Sequence, residues 1–419
     1  MAGGVAAVIL AAGKSTRMVT DLPKVLHEVC GRPMLAYVLE ACRRIGVEKL
    51  LVVVGYRKDD VMAAFPDQND IIWVEQKEQR GTGHAVMICE EELRKGGWQD
   101  VLVLCGDGPL VSDKVLATVV QKHRAEHASA TLATAVLPDP TGYGRIVRDA
   151  YGNLQGIVEQ GDCTPEQKNI KEINPSYYCF RTDHLLEALH SVRPNNVKNE
   201  YYLTDALAIM IARGLKAVAI TAVAPEDVIS VNSRQQLSLV SKLMQERIQE
   251  NLMSHGVTVV DPSNTWIDAR AQIGQDTVIH PFTYIHGRVQ IGKRCSIGPF
   301  AYLREGTVLA DDVVVGVFTE VKNTVLGHGT RLRHLSYVGD TKAGRNVNIG
   351  AGSIVANFDG KRIQNTEIGD NAYIGNGAIL VAPLQVPPGA HVGPGSVVSR
   401  QDTQANHRGQ TRRKAPRKK

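Results

Sequence analysis

Short apolar runs alternate with stretches of helical spacing over roughly the first half of the chain. Four runs without helical periodicity predict buried strands, at residues 5–10, 50–54, 71–74 and 101–104. Apolar residues three or four positions apart predict helices at residues 34–45 and about 83–95. Strands that alternate with helices predict an α/β doubly wound, Rossmann-like sheet, which binds its ligands beyond the carboxyl ends of its strands.

A long amphipathic segment follows at residues 233–254. Its apolar positions are spaced as on one face of a helix of about six turns: Leu237, Val240, Met244, Ile248 and Leu252. Asn232 or Ser233 is placed to cap its first turn. The segment predicts a helix that either packs on its own domain or binds a partner.

After residue 254 the hydrophobic period changes to six. Aliphatic residues, often followed by Gly, recur at this spacing, for example at Ile273, Ile279, Ile291, Ile297 and Leu303. Such a repeat is the signature of a hexapeptide parallel β-helix, in which three hexads complete one coil. We therefore predict an α/β domain at 1–232, a linker helix at 233–254, a β-helix domain at 255–400 and a basic, disordered tail at 401–419.

Composition and charge bear on the number of domains, the class of ligand and the cellular compartment. A chain of 419 residues exceeds one typical core, and its 39 Gly fit a portion built from repeats. Seven Lys and Arg with no acidic residue follow residue 407, so the net charge of +5 comes from the tail and does not argue for nucleic acid. Seven Cys without a C-x-x-C pair predict free thiols, and no run reaches membrane-spanning length, so we expect a cytoplasmic protein.

The stretch LAAGKSTRM, at residues 10–18, carries the first candidate chemistry. A strand that feeds a Gly-containing loop before a helix presents backbone N–H groups to an anion. Lys14, Arg17 and Lys24 add cations, so the pattern predicts a polyphosphate ligand. The spacing is not that of the P-loop, and an ordinary turn with surface cations remains the alternative for this stretch alone.

Two further loops follow the third and fourth predicted strands. The first, QKEQRGTGHA at residues 76–85, has glycines that allow the backbone to approach a flat ligand such as a base. The second, CGDGP at residues 105–109, exposes Asp107 at a strand end, where a carboxylate beside a polyphosphate is a candidate Mg²⁺ ligand. Turn chemistry explains a single Asp in such a loop equally well.

Eight motifs, taken together and in this order, resemble the sugar-1-phosphate nucleotidylyltransferases. The chain is most similar to the bifunctional bacterial enzymes that join an N-acetylglucosamine-1-phosphate uridylyltransferase to a glucosamine-1-phosphate acetyltransferase. The motifs are LAAGKSTRM with LPKVLH (22–27), Gln76 with GTGHA (81–85), GD (106–107), GYGR (142–145), GIVE (156–159), EIN (172–174), EYYLTD (200–205) and VN (231–232). In the second half, HLSYVGD (334–340) and NVNIGAG (346–352) match the acetyltransferase segment.

The resemblance implies that UMP is transferred from UTP to N-acetylglucosamine-1-phosphate, giving UDP-N-acetylglucosamine and pyrophosphate. It implies a nucleotide site at Leu10, Ala11, Ala12, Gly13, Lys24, Gln76, Gly81 and Thr82, of which the last three read uracil. Arg17 and Lys24 would neutralise charge at the α-phosphorus, and Asp107 and Asn232 would hold Mg²⁺. Gly144, Glu159 and Asn174 would bind the sugar phosphate, with Glu200 and Thr204 in a segment that lines the same pocket. A sugar phosphate is already an anionic nucleophile, so positioning and charge neutralisation suffice without a general base.

For the second half the resemblance implies a left-handed β-helix, association as a homotrimer, and acetyl transfer from acetyl-CoA to glucosamine-1-phosphate. His334 would be the general base, a role that suits the pKa range of histidine. The sugar phosphate would bind at Arg304, Lys322, Tyr337 and Asn348, and acetyl-CoA at Ala351, Asn357, Phe358 and Asn376.

The sequence departs from the family at several positions. Cys105 stands where Tyr is usual, Phe358 replaces Tyr, Ile363 replaces Lys and Asn376 replaces Ser. The span from Asn232 to Arg304 is shorter by about two coils, and Arg408 is only a weak match for a CoA-contacting residue. Three alternatives therefore stay open: a uridylyltransferase whose β-helix only trimerises, a non-catalytic sugar-nucleotide-binding scaffold, and a different sugar nucleotide such as UDP-glucose.

Overall fold

The computed structural model describes residues 4–14, 16–197 and 199–400. The predicted tail at 401–419, including Arg408, lies outside the described residues, and so does Ser15 of the first motif. By internal contacts the chain divides into two units, Met1–Leu243 and Met244–Lys419. This division falls inside the long helix, and the predicted domain limits remain predictions.

The first unit contains the following helices and strands. In chain order they are β1 (Val5–Leu10), β2 (Glu28–Val29), β3 (Arg32–Pro33), α1 (Met34–Arg44), β4 (Lys49–Val54), α2 (Lys58–Ala63), β5 (Ile71–Glu75), α3 (Thr82–Met87), α4 (Glu90–Gly96), β6 (Asp100–Cys105), α5 (Asp113–Ala125), β7 (Ala130–Val136), β8 (Gly144–Arg148), β9 (Leu154–Val158), β10 (Glu172–Arg181), α6 (Thr182–Leu189), α7 (Leu203–Ala212) and β11 (Ala217–Thr221), and α8 (Arg234–Ser254) begins here and continues into the second unit. Short 3-10 helices lie at Thr16–Met18, Lys24–Leu26, Gln167–Asn169 and Pro225–Val228.

The central strand of this unit is β1, which pairs in parallel with β4 on one side and β6 on the other. The sheet order is β11-β7-β10-β6-β1-β4-β5, with the hairpin β8–β9 attached to β10. Ala7 and Ile9 face a core that includes α1 and α5, whereas Ala6 and Val8 face a core that includes α3, α6 and α7. Both faces of the sheet are therefore covered, and the predicted doubly wound α/β class is confirmed.

Two details differ from the sequence-based prediction. The sheet is mixed, because β10 runs antiparallel to both β6 and β7. The single helix predicted at 83–95 is wrong: α3 ends at Met87 and α4 begins at Glu90. Three consecutive glutamates open α4, and acidic side chains in a first helical turn stabilise the N–H groups that lack intrahelical partners.

The second unit is a parallel β-helix, in which strands of successive coils stack to form three parallel sheets. Its strands are β12 (Thr258–Val259), β13 (Trp266–Ile267), β14 (Gln272–Ile273), β15 (Val278–Ile279), β16 (Tyr284–Ile285), β17 (Gln290–Ile291), β18 (Ser296–Ile297), β19 (Tyr302–Leu303), β20 (Val308–Leu309), β21 (Val314–Val317), β22 (Glu320–Lys322), β23 (Val325–Leu326), β24 (Arg331–His334), β25 (Tyr337–Gly339), β26 (Thr341–Ala343), β27 (Asn348–Ile349), β28 (Ile354–Ala356), β29 (Thr366–Ile368), β30 (Tyr373–Ile374), β31 (Ile379–Val381), β32 (Leu384–Val386), β33 (His391–Val392) and β34 (Val397–Val398), with a 3-10 helix at Pro262–Asn264. The aliphatic residues of the hexads form one continuous buried core, as the period of six predicts.

The coils are not all the same length. In the early coils, the register keeps the full spacing of three hexads, as in the pairing of Ile279 with Ile297. The coils from β21 to β27 are slightly shorter, since Val315 pairs with Leu332 and Leu332 with Ile349. The next coil is much longer, because the loop at residues 358–365 is inserted between β27 and β30. These irregular coils carry most of the predicted acetyltransferase residues.

The end of α8 covers the first coil of the β-helix. Gln245 donates to the carbonyl of Ile267 at 2.6 Å and accepts from its N–H at 2.9 Å, as a neighbouring strand would. Gln249 donates to the carbonyl of Thr265 at 2.9 Å. An open strand edge exposes unpaired backbone groups, so these buried glutamines protect that edge.

The start of α8 is capped by Ser233, whose hydroxyl accepts from the N–H of Gln236 at 3.2 Å. Asn232, the other predicted cap, uses its side chain elsewhere. All seven Cys are free thiols, as predicted. No helix within the described residues has the length and apolar character needed to cross a membrane.

Candidate active sites

The eight residues predicted to bind the nucleotide line one cavity of about 240 Å³ beyond the carboxyl ends of β1 and β6. Leu10, Ala11, Ala12 and Gly13 form one wall, Gln76, Gly81 and Thr82 form another, and Lys24 lies between them. Cys105, Asp107 and Glu200 also line this cavity. The structure thus brings together motifs that are widely separated in the sequence.

The wall at residues 80–83 is held by the segment at residues 200–203. Tyr201 donates its N–H to the carbonyl of Arg80 at 2.8 Å, and Gly83 donates to the carbonyl of Tyr201 at 2.7 Å. Gly81 has a φ of +106°, and a Cβ there would lie 2.5 Å from the Tyr201 oxygen. Only glycine fits this close approach. The pairing explains why the G-T-G and E-Y-Y-L motifs occur together.

The side chain of Gln76 is buried and fixed in orientation. Its amide nitrogen donates to the carbonyl of Gly81 at 3.3 Å and to Nδ1 of His84 at 3.0 Å. Burial and the nearby Arg80 charge lower the pKa of His84, so the neutral ring can accept this hydrogen bond. Both amide hydrogens are therefore used, and the carbonyl oxygen remains as an acceptor.

Lys24 lies at the centre of the predicted catalytic group. Its ammonium forms an ion pair with Oδ2 of Asp107 and donates to Oδ1 of Asn232 at 2.8 Å. Arg17 donates to the same Asn232 oxygen at 2.9 Å. Val231 donates its N–H to the Asp107 carbonyl at 3.0 Å, which brings Asn232 beside Asp107. The four side chains are therefore linked in one chain of contacts, from Arg17 through Asn232 and Lys24 to Asp107.

The predicted sugar residues are brought together by β8, β10 and the segment that follows β9. Asn174 lies in a bulge of β10, where it donates to the Tyr178 hydroxyl at 2.5 Å. A Cβ at Gly144 would lie 3.5 Å from Oε1 of Glu159. Burial, aided by the Glu159 charge, raises the pKa of Tyr178, so its hydroxyl keeps its proton. The group thus contains an amide, a hydroxyl and a carboxylate, and its role as a sugar site remains a prediction.

Cys105, one of the departures, lines the nucleotide cavity. Burial and the Asp107 charge raise the pKa of its thiol to about 12, so it stays neutral and is a weak nucleophile. Its backbone remains the paired end of β6, in register with Leu10.

In the β-helix, the predicted residues fall into two neighbouring groups. His334 ends β24, and Ala351 and Asn376 follow the next strands of the same sheet, β27 and β30. Arg304, Lys322, Tyr337 and Asn357 lie in or just after β19, β22, β25 and β28, which are consecutive strands of one sheet. Asn348 pairs with Arg331 at the start of β27. The two groups meet at the corner formed by residues 334–337.

The cationic side chains are held by acidic residues that sequence reasoning missed. Arg304 donates to Oε1 of Glu320 at 2.8 Å and lies 5.7 Å from the centre of the Tyr302 ring. Lys322 lies 3.9 Å from a carboxylate oxygen of Asp340. Asp340 in turn contacts Asn323 and Asn357, and the three residues recur at the spacing of one coil in this region. That spacing is the signal that could have identified Asp340.

The remaining predicted residues differ in how firmly they are held. Asn376 accepts from the N–H of Ala351 at 3.0 Å. Phe358 is exposed and pairs across the inserted loop with Ile363, so both departures lie on that loop. His334 is exposed, and its backbone carbonyl accepts from Ser336 at 2.8 Å.

Comparison with known proteins finds a matching family for a segment of each unit. Residues 7–167 match the MobA-like NTP transferase domain, and residues 270–305 match the bacterial transferase hexapeptide (six repeats). The chain is 44% identical over 413 residues to the bifunctional protein GlmU of Pelotomaculum thermopropionicum, covering 91% of this chain and 90% of that protein. It is 42% identical over 426 residues to the bifunctional protein GlmU of a Geobacillus species, covering 94% and 92%.

A solved structure of UDP-glucose pyrophosphorylase complexed with UDP-glucose is similar in fold. The TM-score is 0.50 at 19% identity, over 58% of this chain and 99% of that chain. At this identity the likeness concerns the fold alone.

Proposed function

Since the chain belongs to the family of the bifunctional GlmU proteins, we propose that its two halves catalyse consecutive reactions. The β-helix acetylates glucosamine-1-phosphate with acetyl-CoA, and the α/β unit transfers UMP from UTP to the resulting N-acetylglucosamine-1-phosphate. The product of the first reaction is the nucleophile of the second. The observation that carries the proposal is the single cavity that holds the eight predicted nucleotide residues together with Asp107.

In uridylyl transfer, the sugar phosphate oxygen attacks the α-phosphorus of UTP, and pyrophosphate leaves. The backbone at residues 10–13 binds the triphosphate. Arg17 and Lys24 neutralise the negative charge that develops on the phosphoryl oxygens, and side chains preorganised in this way supply much of the rate enhancement. Asn174 and Glu159 hold the sugar so that its phosphate approaches in line.

The chemistry of Asp107 and Asn232 supports a Mg²⁺ site, which these two residues would form with the substrate phosphates. Oδ1 of Asp107 is buried without a hydrogen-bond partner, while Oδ2 of Asp107 and Oδ1 of Asn232 both contact the Lys24 ammonium. Within the described residues no group of three or more His, Cys, Asp or Glu could hold a metal. Mg²⁺ commonly binds through one or two protein carboxylates together with substrate phosphates. When bound, the ion supplies further neutralisation of phosphate charge.

Gln76 selects the base. Its fixed amide leaves a carbonyl oxygen as acceptor, which matches the N3–H donor of uracil, whereas cytosine presents an acceptor at N3. With cytosine, the Gln76 carbonyl oxygen and N3 of the base would both be acceptors, and neither would have a hydrogen-bond partner. Such a mismatch between buried groups disfavours cytosine strongly relative to uracil.

We expect Gln76→Ala to lower kcat/KM for UTP by about 10- to 100-fold, the cost of one buried hydrogen bond, and to narrow the preference for UTP over CTP. Steady-state pyrophosphate release with each nucleotide measures both effects. Gln68→Ala, which removes an amide outside the cavity, is the matched control and should change neither value. An unchanged UTP/CTP ratio in Gln76→Ala would assign base selection to other residues.

In acetyl transfer, the amine nitrogen of glucosamine-1-phosphate attacks the thioester carbon of acetyl-CoA. The C–N bond forms, the C–S bond breaks, and the sulfur of CoA leaves with the bonding electron pair. His334 accepts the proton that the amine loses and passes it to this sulfur, so that CoA is released as its thiol. Arg304 and Lys322 bind the phosphate, Tyr337 and Asn348 orient the sugar, and Ala351, Asn357, Phe358 and Asn376 contact acetyl-CoA.

The β-helix also forms the surface through which the chain assembles as a homotrimer. Phe282, Phe300 and Phe318 stack on successive coils, with ring centres 4.7 and 5.1 Å apart, and each is about half exposed. All three have positive φ values, from 54° to 59°, which is unusual for a large side chain. We name this column the phenylalanine ladder. An exposed column of stacked apolar side chains is typical of a contact between copies.

We expect Phe300→Asp to convert the trimer to monomers, because a charge placed in the middle of the phenylalanine ladder must be desolvated on association. Multi-angle light scattering measures the mass directly. Val325→Asp introduces the same charge on strand β23, at a similarly exposed apolar position outside the ladder, and should leave the trimer intact. A trimeric Phe300→Asp protein would place the contact elsewhere.

A further inference from the structure

The carboxylate of Asp340 lies among the predicted substrate residues of the β-helix, although it is not one of them. It follows β25, its residue is 7% exposed, and its φ is +50°. Its two oxygens have different partners. Oδ1 accepts from the amide of Asn323 at 2.6 Å, and Oδ2 accepts from the amide of Asn357 at 2.5 Å. Lys322 lies 3.9 Å from the same Oδ2.

These contacts fix the orientation of the Asn357 amide. Its nitrogen donates one hydrogen to Asp340 and the other to the Tyr337 hydroxyl at 3.3 Å. A carboxylate can only accept, so the nitrogen must face Asp340, and the carbonyl oxygen of Asn357 must point away from it. The Tyr337 oxygen accepts from Asn357, and its own proton is therefore available to a ligand.

The glycine before Asp340 makes this arrangement possible. A Cβ at Gly339 would lie 2.5 Å from the Tyr337 hydroxyl and 2.6 Å from the Asn357 amide nitrogen. Both distances are far below van der Waals contact. Any larger residue would therefore separate Tyr337 from Asn357 and break the chain of hydrogen bonds that leads to Asp340.

We propose that Asp340 is a positioning residue that couples the two substrate subsites of the acetyltransferase. Through Asn357 it sets an acceptor toward acetyl-CoA, through Tyr337 it sets a donor toward the sugar, and through its charge it holds the Lys322 ammonium near the phosphate. The inference rests on the proposed acetyl transfer. Asp340 acts on substrate only through these three neighbours.

The test compares acetyl transfer by the full-length chain and by Asp340→Asn, which keeps the size, removes the charge and places a donor against the amide nitrogen of either Asn323 or Asn357. We expect KM for acetyl-CoA and for glucosamine-1-phosphate each to rise about 10-fold or more, the cost of a charged hydrogen bond, with uridylyl transfer unchanged. Asp268→Asn is the matched control, because Asp268 is another buried carboxylate of the same β-helix, and it accepts from the N–H of Gly287. It should lower the melting temperature without moving either KM.

A double-mutant cycle separates positioning from simple structural damage. If Asp340 acts through Asn357, the effects of Asp340→Asn and Asn357→Ala on kcat/KM for acetyl-CoA will be strongly non-additive. Additive effects, or wild-type KM values in Asp340→Asn, overturn the inference. Should Asp340→Asn not fold, Asn323→Ala releases the other oxygen of the carboxylate and must raise both KM values several-fold for the inference to stand. A wild-type chain without acetyl transfer would instead refute the proposed function.

Discussion

Replacing His334 with Ala should lower the rate of acetyl transfer by about 10²- to 10⁴-fold, the usual contribution of a general base. The amine of glucosamine-1-phosphate must lose a proton as it attacks the thioester, and His334 lies at the corner where the two groups of predicted acetyltransferase residues meet. Uridylyl transfer should stay at the wild-type rate, since the nucleotide cavity lies in the first unit.

The rate of CoA release, followed with a thiol reagent, measures this effect. His328→Ala is the control, because His328 is another exposed histidine of the β-helix, 3.3 Å from Asp312 and outside the predicted site. Its variant should transfer acetyl groups normally. If His334→Ala retained more than a tenth of the wild-type rate, the proton would have to leave by another route.

Replacing Asp107 with Asn should lower uridylyl transfer by about 10²- to 10³-fold and leave acetyl transfer intact. The change removes the negative charge that pairs with Lys24 and one of the two proposed Mg²⁺ ligands. An amide keeps the size of the side chain, so the loss reports charge and coordination rather than packing.

Asp100→Asn is the matched control for this variant. Asp100 is a buried carboxylate at the opposite end of the same strand, β6, where it accepts from Arg124 at 2.9 Å. Its loss should reduce stability without affecting the turnover of the folded enzyme. The rate of pyrophosphate release from UTP measures uridylyl transfer by both variants. A loss of acetyl transfer as well in Asp107→Asn would contradict two independent sites.

The sequence predicts the nucleotide half well because its signals are local. The apolar run at residues 5–10 predicts a buried strand, and this strand is β1. Ligands of such sheets bind beyond the carboxyl ends of the strands, so the loop that follows the run is expected at the ligand site. Gly81 shows where this reasoning stops. Its need for glycine comes from Tyr201, which is distant in the sequence, and no local pattern contains that contact.

The prediction of a single helix at 83–95 was wrong for a different reason. Its apolar spacing is continuous, but α3 ends at Met87, and three glutamates occupy the first turn of the new helix that begins at Glu90. Helical periodicity alone does not detect such a restart, whereas the cluster of acidic residues would have indicated it.

In the β-helix, the period of six predicts the core but not the site. A strict hexad repeat implies coils of equal length, yet the coils around His334 are shortened and the next one is lengthened by the inserted loop. Register across these irregular coils decides which polar side chains meet. For that reason Glu320 and Asp340 were missed, although each contacts a residue that the sequence did identify.

The central claim is that one chain carries two reactions at separate sites. The most direct test is the release of free CoA by the unmodified chain from acetyl-CoA and glucosamine-1-phosphate, measured alongside pyrophosphate release from UTP and N-acetylglucosamine-1-phosphate with Mg²⁺. The account predicts both products, each dependent on its own substrates. Pyrophosphate without any CoA release would contradict it and leave the β-helix as a scaffold alone.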